Sequence, residues 1–389
     1  MATATRGLIE PLERHRTALK IATEVSIVDG NLAASVGEVT ARHQIIAIFV
    51  DQNLIVKPYV REAIGAVARG TVVGTFTSIH ENPCEEDVLS AAAFLAPLKS
   101  DCVIAIGGGS TIDTAKMGLL LAFGGGVPKD WWPGHRHEPV DGPPLYVYPT
   151  TAGTGSEVQS HALISDNITH RKMAIGHARL APTHAILDVS LLESCPRILM
   201  VLAGIDALSH ALESAVTRTA TPASTMAAID AAAMLWPALS ELSCADVITK
   251  DAAKRLHAGA TLAGMAIEAS MLGAAHGCGN PLTARYGIVH GQAVSLMLPG
   301  VIALNERDLR SATTYRSLEH RCNIENGSLA TAVKDLIHGL GLATTLSALG
   351  ITEPTIEVLA SLAMEQWTCG HNPVPMTSQL CVELYNSVL

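Results

Sequence analysis

Four short runs of β-branched and other apolar residues punctuate the first half of the chain: "HQIIAIFV" (His43–Val50), "TVVGTFTSI" (Thr71–Ile79), "CVIAIGG" (Cys102–Gly108) and "PLYVYPT" (Pro144–Thr150). Each is bounded by polar or glycine residues, as buried strands are. Between them stand stretches of helical period such as "VREAIGAVARG" and "EEDVLSAAAFLAPL". Strands that alternate with helices predict a parallel sheet covered by helices. Beyond about residue 195 the texture changes to long Ala/Leu/Met-rich segments at helical period, among them "AGIDALSHALESAV" and "AAKRLHAGATLAGMAIEAS". The expected organisation is an α/β nucleotide-binding domain with a parallel sheet over residues 1–190, and an all-α metal-binding domain over 191–389. The break is expected near "ILDVSLLESCP", closed by Pro196.

A chain of 389 residues is too long for one ordinary core, which agrees with two domains. Hydrophobic residues make up 48% and charged residues 16%, the balance of a well-buried globular protein. The formal net charge is −10 and no Lys/Arg cluster occurs, so nucleic acid is not an expected partner. The N-terminal "MATATRGLIEPLERHRTALK" carries charges throughout, and the most apolar later run, "MGLLLAFGGGV", is far shorter than the ~20 residues a span requires. A soluble cytoplasmic protein is expected, with no membrane partner. The eight dispersed cysteines include no CxxC pair and read as reduced core or site thiols.

Chemistry first shows in "VIAIGGGSTIDTAK" (Val103–Lys116), where a strand runs into three glycines, Ser110 and a helix whose first turn holds Asp113. Glycines let backbone N–H groups approach phosphate oxygens, and a helix N-terminus favours an anion. The stretch is neither GxGxxG nor a Walker A motif, and such a turn alone is often only a tight strand–helix connection. A second turn, "YPTTAGTGSEV", gathers Thr150, Thr151, Thr154 and Ser156 around Gly153 and Gly155. Two Thr/Ser/Gly loops at strand C-termini suit the crevice where open α/β sheets bind nucleotides. Asp51, closing "IIAIFVD", can accept from a ribose 2′-OH and would repel a 2′-phosphate, which favours NAD(H) over NADP(H). A lone Asp at a strand end is also a common cap.

In the helical half, "GIDALSHALES" places Asp206 and His210 four apart on one helix face, among Ala, Leu and Ile. Such a pair is usually a surface or capping feature, but burial here would demand a partner. His276 and His290 in "AHGCGNPLTARYGIVHG", each beside Gly, could supply two more ligands. One carboxylate and three imidazoles suit a divalent first-row ion, Fe(II) or Zn(II), with a position open for a substrate oxygen. His135 and His137 fall in a Pro/Gly-rich loop; His161, His170, His177 and His184 share no face.

With "ENPCEEDV", "GGGSTIDTAK", "PTTAGTGSEV", "DALSHALES" and "AHGCGNPLTARYGIVHG" in this order, the chain resembles the iron-containing (group III) alcohol dehydrogenases of the dehydroquinate synthase-like superfamily, over most of its length. The resemblance implies an active site between the two domains, with Asp206, His210, His276 and His290 on the metal. It implies that Gly108, Gly109, Ser110 and Asp113 meet the pyrophosphate and nicotinamide side, that Thr150, Thr151 and Thr154 line the cofactor cleft, and that Asp51 meets the adenosine ribose. Asn82 and Lys172 match positions near the cofactor, and a homodimer or larger homo-oligomer is implied.

One position departs from that pattern. Where the family carries H-x-x-x-H-P-[LI], this chain has Asn280 in place of the second, non-ligand histidine, beside Pro281. An amide hydrogen-bonds a hydroxyl but takes up no proton near neutral pH. The expected reaction is hydride transfer between a small primary alcohol or aldehyde and a nicotinamide. The alternatives are a hydroxyacid–oxoacid transhydrogenase, a reductase of an anionic aldehyde read by Arg285, and a catalytically weakened nucleotide-binding relative. A lyase-type cyclisation is disfavoured by the lack of clustered Lys and Arg near the ligands.

Overall fold

The computed structural model describes residues 2–67, 72–133, 138–167, 172–325 and 327–389. Six strands form one parallel sheet in the order β1-β8-β5-β4-β2-β3: β1 (Glu24–Val28), β2 (Ile45–Val50), β3 (Val72–Phe76), β4 (Cys102–Gly107), β5 (Leu145–Pro149) and β8 (His184–Asp188). An antiparallel ribbon, β6 (His161–Ser165) with β7 (Lys172–Gly176), is inserted before β8. The four apolar runs of the sequence are β2, β3, β4 and β5. The other two sheet strands, β1 and β8, are shorter in apolar signal, and β8 occupies part of the segment read as a boundary.

The sheet is buried on both faces, which is why its strands read as continuous apolar runs. Ile46, Ile48, Val50, Ile104 and Ile106 pack on one side with Val36 of α2 (Leu32–Thr40) and Val60 of α4 (Pro58–Gly65). The alternating Phe49 packs on the other side, 5.9 Å from the ring of Phe94 on α5 (Glu85–Leu98). After β2 the chain passes through α3 (Gln52–Ile55) and α4 to β3; after β4 it passes through α6 (Gly109–Gly124) to β5, on the opposite side. The C-terminal ends of β2 and β4 therefore flank the topological switch point, where open α/β sheets bind ligands.

The remainder is helical: α7 (Val189–Glu193), α8 (Arg197–Ser214), α9 (Pro222–Cys244), α10 (Lys250–Ser270), α11 (Ala274–Tyr286), α12 (His290–Asn305), α13 (Leu309–Arg321), α14 (Leu329–Gly339), α15 (Ile356–Met364) and α16 (Ser378–Asn386). Buried α8 packs against α9, α10 and α12. Two compact units divide the chain: Met1–Thr5, Lys20–Thr151 and Gly155–Cys195 form one, and Arg6–Leu19, Ala152–Thr154 and Pro196–Leu389 the other. Sequence reading drew a single cut after residue 190. The observed division adds Arg6–Leu19, most of α1 (Ala2–Leu19), to the helical unit, because Arg14 and His15 bond the buried carboxylate of Asp230 on α9 at 2.6 and 2.9 Å. Among the described residues no single helix is long and apolar enough to cross a membrane; α10 and α11 reach that length only as a pair bent by 104°.

Candidate metal centre and nucleotide turn

Asp206, His210 and Glu213 stand at i, i+4 and i+7 on α8, so all three project from one face. His276 lies in the first turn of α11 and His290 opens α12. What draws α12 onto α8 is Gly291: a Cβ there would sit 2.2 Å from the Leu202 carbonyl oxygen, so only glycine permits this approach. Leu202 is one turn ahead of Asp206, and the contact delivers His290 to that carboxylate.

Three imidazole nitrogens converge on one oxygen. The Nε2 atoms of His210, His276 and His290 lie 3.6, 3.5 and 3.6 Å from Asp206 Oδ1. The ligand atoms of Asp206, His276 and His290 are all within 4.8 Å of one another, and His210 joins them through Asp206. Asp206 Oδ1 and His276 Nε2 are buried and make no hydrogen bond among the described residues. Nitrogen and oxygen ligands held ~2.0–2.2 Å from a tetrahedral ion are ~3.3–3.6 Å apart. The spacing is too long for hydrogen bonds and right for neighbours on a shared cation, so the residues fit the metal the family implies. The side chains of Asp206, His210 and His276 are 7, 5 and 3% exposed, whereas His290 retains 29%, which leaves its side open to a substrate.

Glu213 organises the site from behind. Its Oε2 accepts from His276 Nδ1 at 2.5 Å, and its Oε1 accepts from the Ala275 backbone N–H at 2.6 Å. With the proton on Nδ1, neutral His276 turns the lone pair of Nε2 toward Asp206 Oδ1. Two acceptors then face each other, an arrangement that a cation resolves. In the metal-free protein a proton does the same. Burial alone would depress His276, but the carboxylates of Glu213 and Asp206 outweigh it and push it up to about 9. Burial holds His210 below its ordinary value, the Asp206 carboxylate only partly offsetting it. Asp206 is buried as well, yet its histidines keep the carboxyl well below the usual range. A cation and a proton thus compete for His276.

In the other unit, Gly107 ends β4, Gly108 caps α6 without any side-chain bond, and Gly109 begins the helix. The tight turn is obligatory at Gly107, where a Cβ would meet Thr111 Oγ1 at 2.2 Å. The uncapped first turn leaves backbone N–H donors for an anion. Thr151 stands beside Gly108, the Thr150 N–H donates to the Gly107 carbonyl at 3.0 Å, and the Asn82 N–H donates to Ser110 Oγ at 3.3 Å. Asp51 follows Val50, the β2 partner of Ile106, so it sits across the switch point from the glycines. Its Oδ1 caps α3, accepting from the N–H groups of Asn53 and Leu54 at 2.7 and 3.0 Å.

Not every expected cofactor residue faces out of this turn. Asp113 faces into the unit: its carboxylate accepts from Ser156 Oγ at 2.5 Å and the Leu163 N–H at 2.9 Å, with Lys116 Nζ 3.9 Å away. Buried Lys116 donates to the Ser156, Gln159 and His161 carbonyls, so this network ties the second Gly-rich loop to α6. Lys172 starts β7 opposite Ser165, and exposed Thr154 falls in the short stretch that belongs to the helical unit. Asn280 is half-buried on α11, one turn beyond His276. Arg285 is exposed, its guanidinium 5.9 Å from the centre of the Tyr286 ring. His135, His137 and His170 lie outside the described residues. Sequence reading missed Glu213, although seven positions after Asp206 put it on the ligand face, and missed Gly291, whose role depends on a distant backbone.

A helix-start turn at a sheet switch point suits a nucleotide, and a buried carboxylate–imidazole cluster suits a divalent cation. The family model for iron-containing alcohol dehydrogenases matches residues 23–189, and that for the C-terminal part of the Fe-containing alcohol dehydrogenase family matches 200–389. The chain is 33% identical over 309 residues to the probable alcohol dehydrogenase EutG of Salmonella typhimurium, covering 78% of this chain and 76% of that protein. It is 30% identical to the NAD-dependent methanol dehydrogenase of Bacillus methanolicus, covering 82% and 85%. In fold it matches the sulfoacetaldehyde reductase of Bifidobacterium kashiwanohense, solved in complex with NAD+, with a TM-score of 0.85, 24% identity and coverage of 94% and 97%. The chain belongs to the iron-containing alcohol dehydrogenase family.

Proposed function

We propose that this member of the family oxidises small primary alcohols and reduces the matching aldehydes, with NAD(H) as the hydride partner and Fe(II), or Zn(II) in its place, held by Asp206, His210, His276 and His290. The observation that carries the reading is the convergence of three imidazole nitrogens on Asp206 Oδ1 at 3.5–3.6 Å. When bound, the cation supplies Lewis-acid polarisation of an alcohol or carbonyl oxygen.

The chain's own residues do the rest. Asp206 contributes the negative charge that offsets the cation, and Glu213 fixes the His276 ring and its tautomer. The burial of Asp206, His210 and His276 keeps bulk water off those side chains. The β4–α6 turn, through Gly108, Gly109 and Ser110, offers backbone donors to a pyrophosphate, with Thr150, Thr151 and Thr154 on the neighbouring loop, and Asn82 and Lys172 close to the cofactor. Asp51 Oδ2, outside the cap bonds, offers an acceptor to a ribose hydroxyl and repels a 2′-phosphate. The anionic-aldehyde reading rests on Arg285, which is exposed with its guanidinium 5.9 Å from the centre of the Tyr286 ring. A homodimer in the cytoplasm is part of the proposal on family grounds, and sedimentation of the purified protein checks its size.

The test is anaerobic reconstitution with Fe(II) or Zn(II), followed by an absorbance screen of primary alcohols with NAD+ and NADP+. Turnover with NAD+ that vanishes, together with bound metal, in Asp206→Asn and His276→Ala is expected. Undiminished turnover in metal-free variants would refute the assignment.

A further inference from the structure

Asn280 is held by a chain of amides with a defined direction. Its Nδ2 donates to Gln366 Oε1 at 3.1 Å, and Gln366 Nε2 donates to the Leu362 carbonyl at 3.4 Å. Leu362 lies in the last turn of α15, where carbonyls lack partners within the helix. A main-chain carbonyl can only accept, so Gln366 must turn its NH2 toward Leu362 and its oxygen toward Asn280. Asn280 must in turn present its NH2 to Gln366. Its Oδ1 is the atom left over, and it has no partner among the described residues. Asn280 is half-buried one helical turn beyond His276, on the same side of α11.

We infer that Asn280 Oδ1 is an acceptor of fixed orientation for a hydroxyl that binds beside the metal centre, and that Gln366 is the positioning residue that sets it. The inference rests on the dehydrogenase reading and goes beyond it by assigning a donor chemistry to this point. A histidine here could donate, accept or take a proton; the locked amide only accepts. The hydroxyl belongs either to the nicotinamide-side ribose or to a second hydroxyl on the substrate, vicinal to the reacting carbon.

Two measurements on Asn280→Leu, Gln366→Met and Gln366→Glu separate these sources. The first is NADH affinity of the metal-free protein by fluorescence titration; the second is the KM ratio of 1,2-propanediol to 1-propanol in the loaded enzyme. One lost hydrogen bond of ~0.5–1.5 kcal/mol corresponds to a loss of about 2–13-fold in Asn280→Leu. A ribose donor weakens NADH binding and spares the diol ratio; a substrate donor raises the KM for the diol alone and spares NADH. Gln366→Met should show a smaller loss in the same measurement. Gln366→Glu should recover part of it, because a carboxylate still accepts from Asn280 Nδ2 although it no longer donates to the Leu362 carbonyl. Melting curves and metal content confirm folding, and Asn280→Ser replaces the leucine variant should that one not fold.

Unchanged NADH affinity and diol ratio in the Asn280 variant overturn the inference. Failure of Gln366→Glu to rescue overturns the positioning role. A wild-type enzyme that turns over no alcohol or aldehyde when loaded refutes the dehydrogenase reading instead, while the NADH titration still reports on Asn280.

Discussion

Glu213 touches no reacting atom, yet it decides how His276 meets a cation. Its two oxygens hold the ring N–H and the Ala275 backbone at 2.5 and 2.6 Å, so a neutral amide in its place loses one charge-assisted bond and can present an N–H to His276. Glu213→Gln should lower metal affinity about 10–100-fold, the usual effect of removing a carboxylate that orients a ligating histidine; competition with a chelator measures it. Asp51 carries two duties, as helix cap and as the proposed gate against a 2′-phosphate. Asp51→Ser keeps a capping oxygen and removes the charge. It should lower the KM for NADP+ at least about tenfold with little change in melting temperature, since serine caps about as well as aspartate. His276 and His290 were legible as candidates because each precedes a glycine in an apolar, helical context, and His210 because it stands four positions after Asp206 on one helix. Gln366 was not, since its partner is 86 positions away.

Helices α8 and α12 meet at a point where no side chain fits. A Cβ at Gly291 would lie 2.2 Å from the Leu202 carbonyl and 2.9 Å from its carbon, both main-chain atoms that cannot swing aside. Gly291→Ala must push α12 outward and carry His290 away from Asp206. Overpacking of this kind costs ~1–3 kcal/mol, so the variant should melt lower and bind metal more weakly than wild type, with both read from one thermal shift series with and without added cation. Strand and helix types were readable for β2 to β5 and for α5 because their apolar period is unbroken. The β6–β7 ribbon and β8 were not, because each carries only three consecutive apolar residues, behind His161, Lys172 and His184, too short a run to mark a strand. The glycine contact was beyond reach for another reason: sequence shows that a residue lacks a Cβ, but not which backbone would strike one.

The N-terminal helix and the helical unit share a charge centre that ties stability to pH. Asp230 accepts from Arg14, His15 and Arg321 at 2.6, 2.9 and 2.6 Å. Burial alone would raise its carboxyl, but His15 and Arg321 outweigh that and hold it below the ordinary carboxylate range. A depressed folded value stabilises the protein above the unfolded value of about 4, and the gain is lost as pH falls through the folded value. Thermal melts from pH 7 to pH 3 should therefore fall more steeply below pH 4 for wild type than for Asp230→Asn, which has already lost the interaction at neutral pH. Equal slopes would remove Asp230 from the account. The broad division into α/β and all-helical parts was visible from texture alone, whereas the place of α1 was not. An amphipathic N-terminal helix carries no mark of which unit holds its Asp partner.

The proposed ligands of the metal centre span residues 206–290 and come from three separate helices, α8, α11 and α12. An unfolded or half-made chain can offer a cation no more than the Asp206/His210 pair, and even that only once α8 is helical. On this proposed ligand set, a complete site exists only once α11 and α12 have packed on α8, so full coordination requires the folded helical unit.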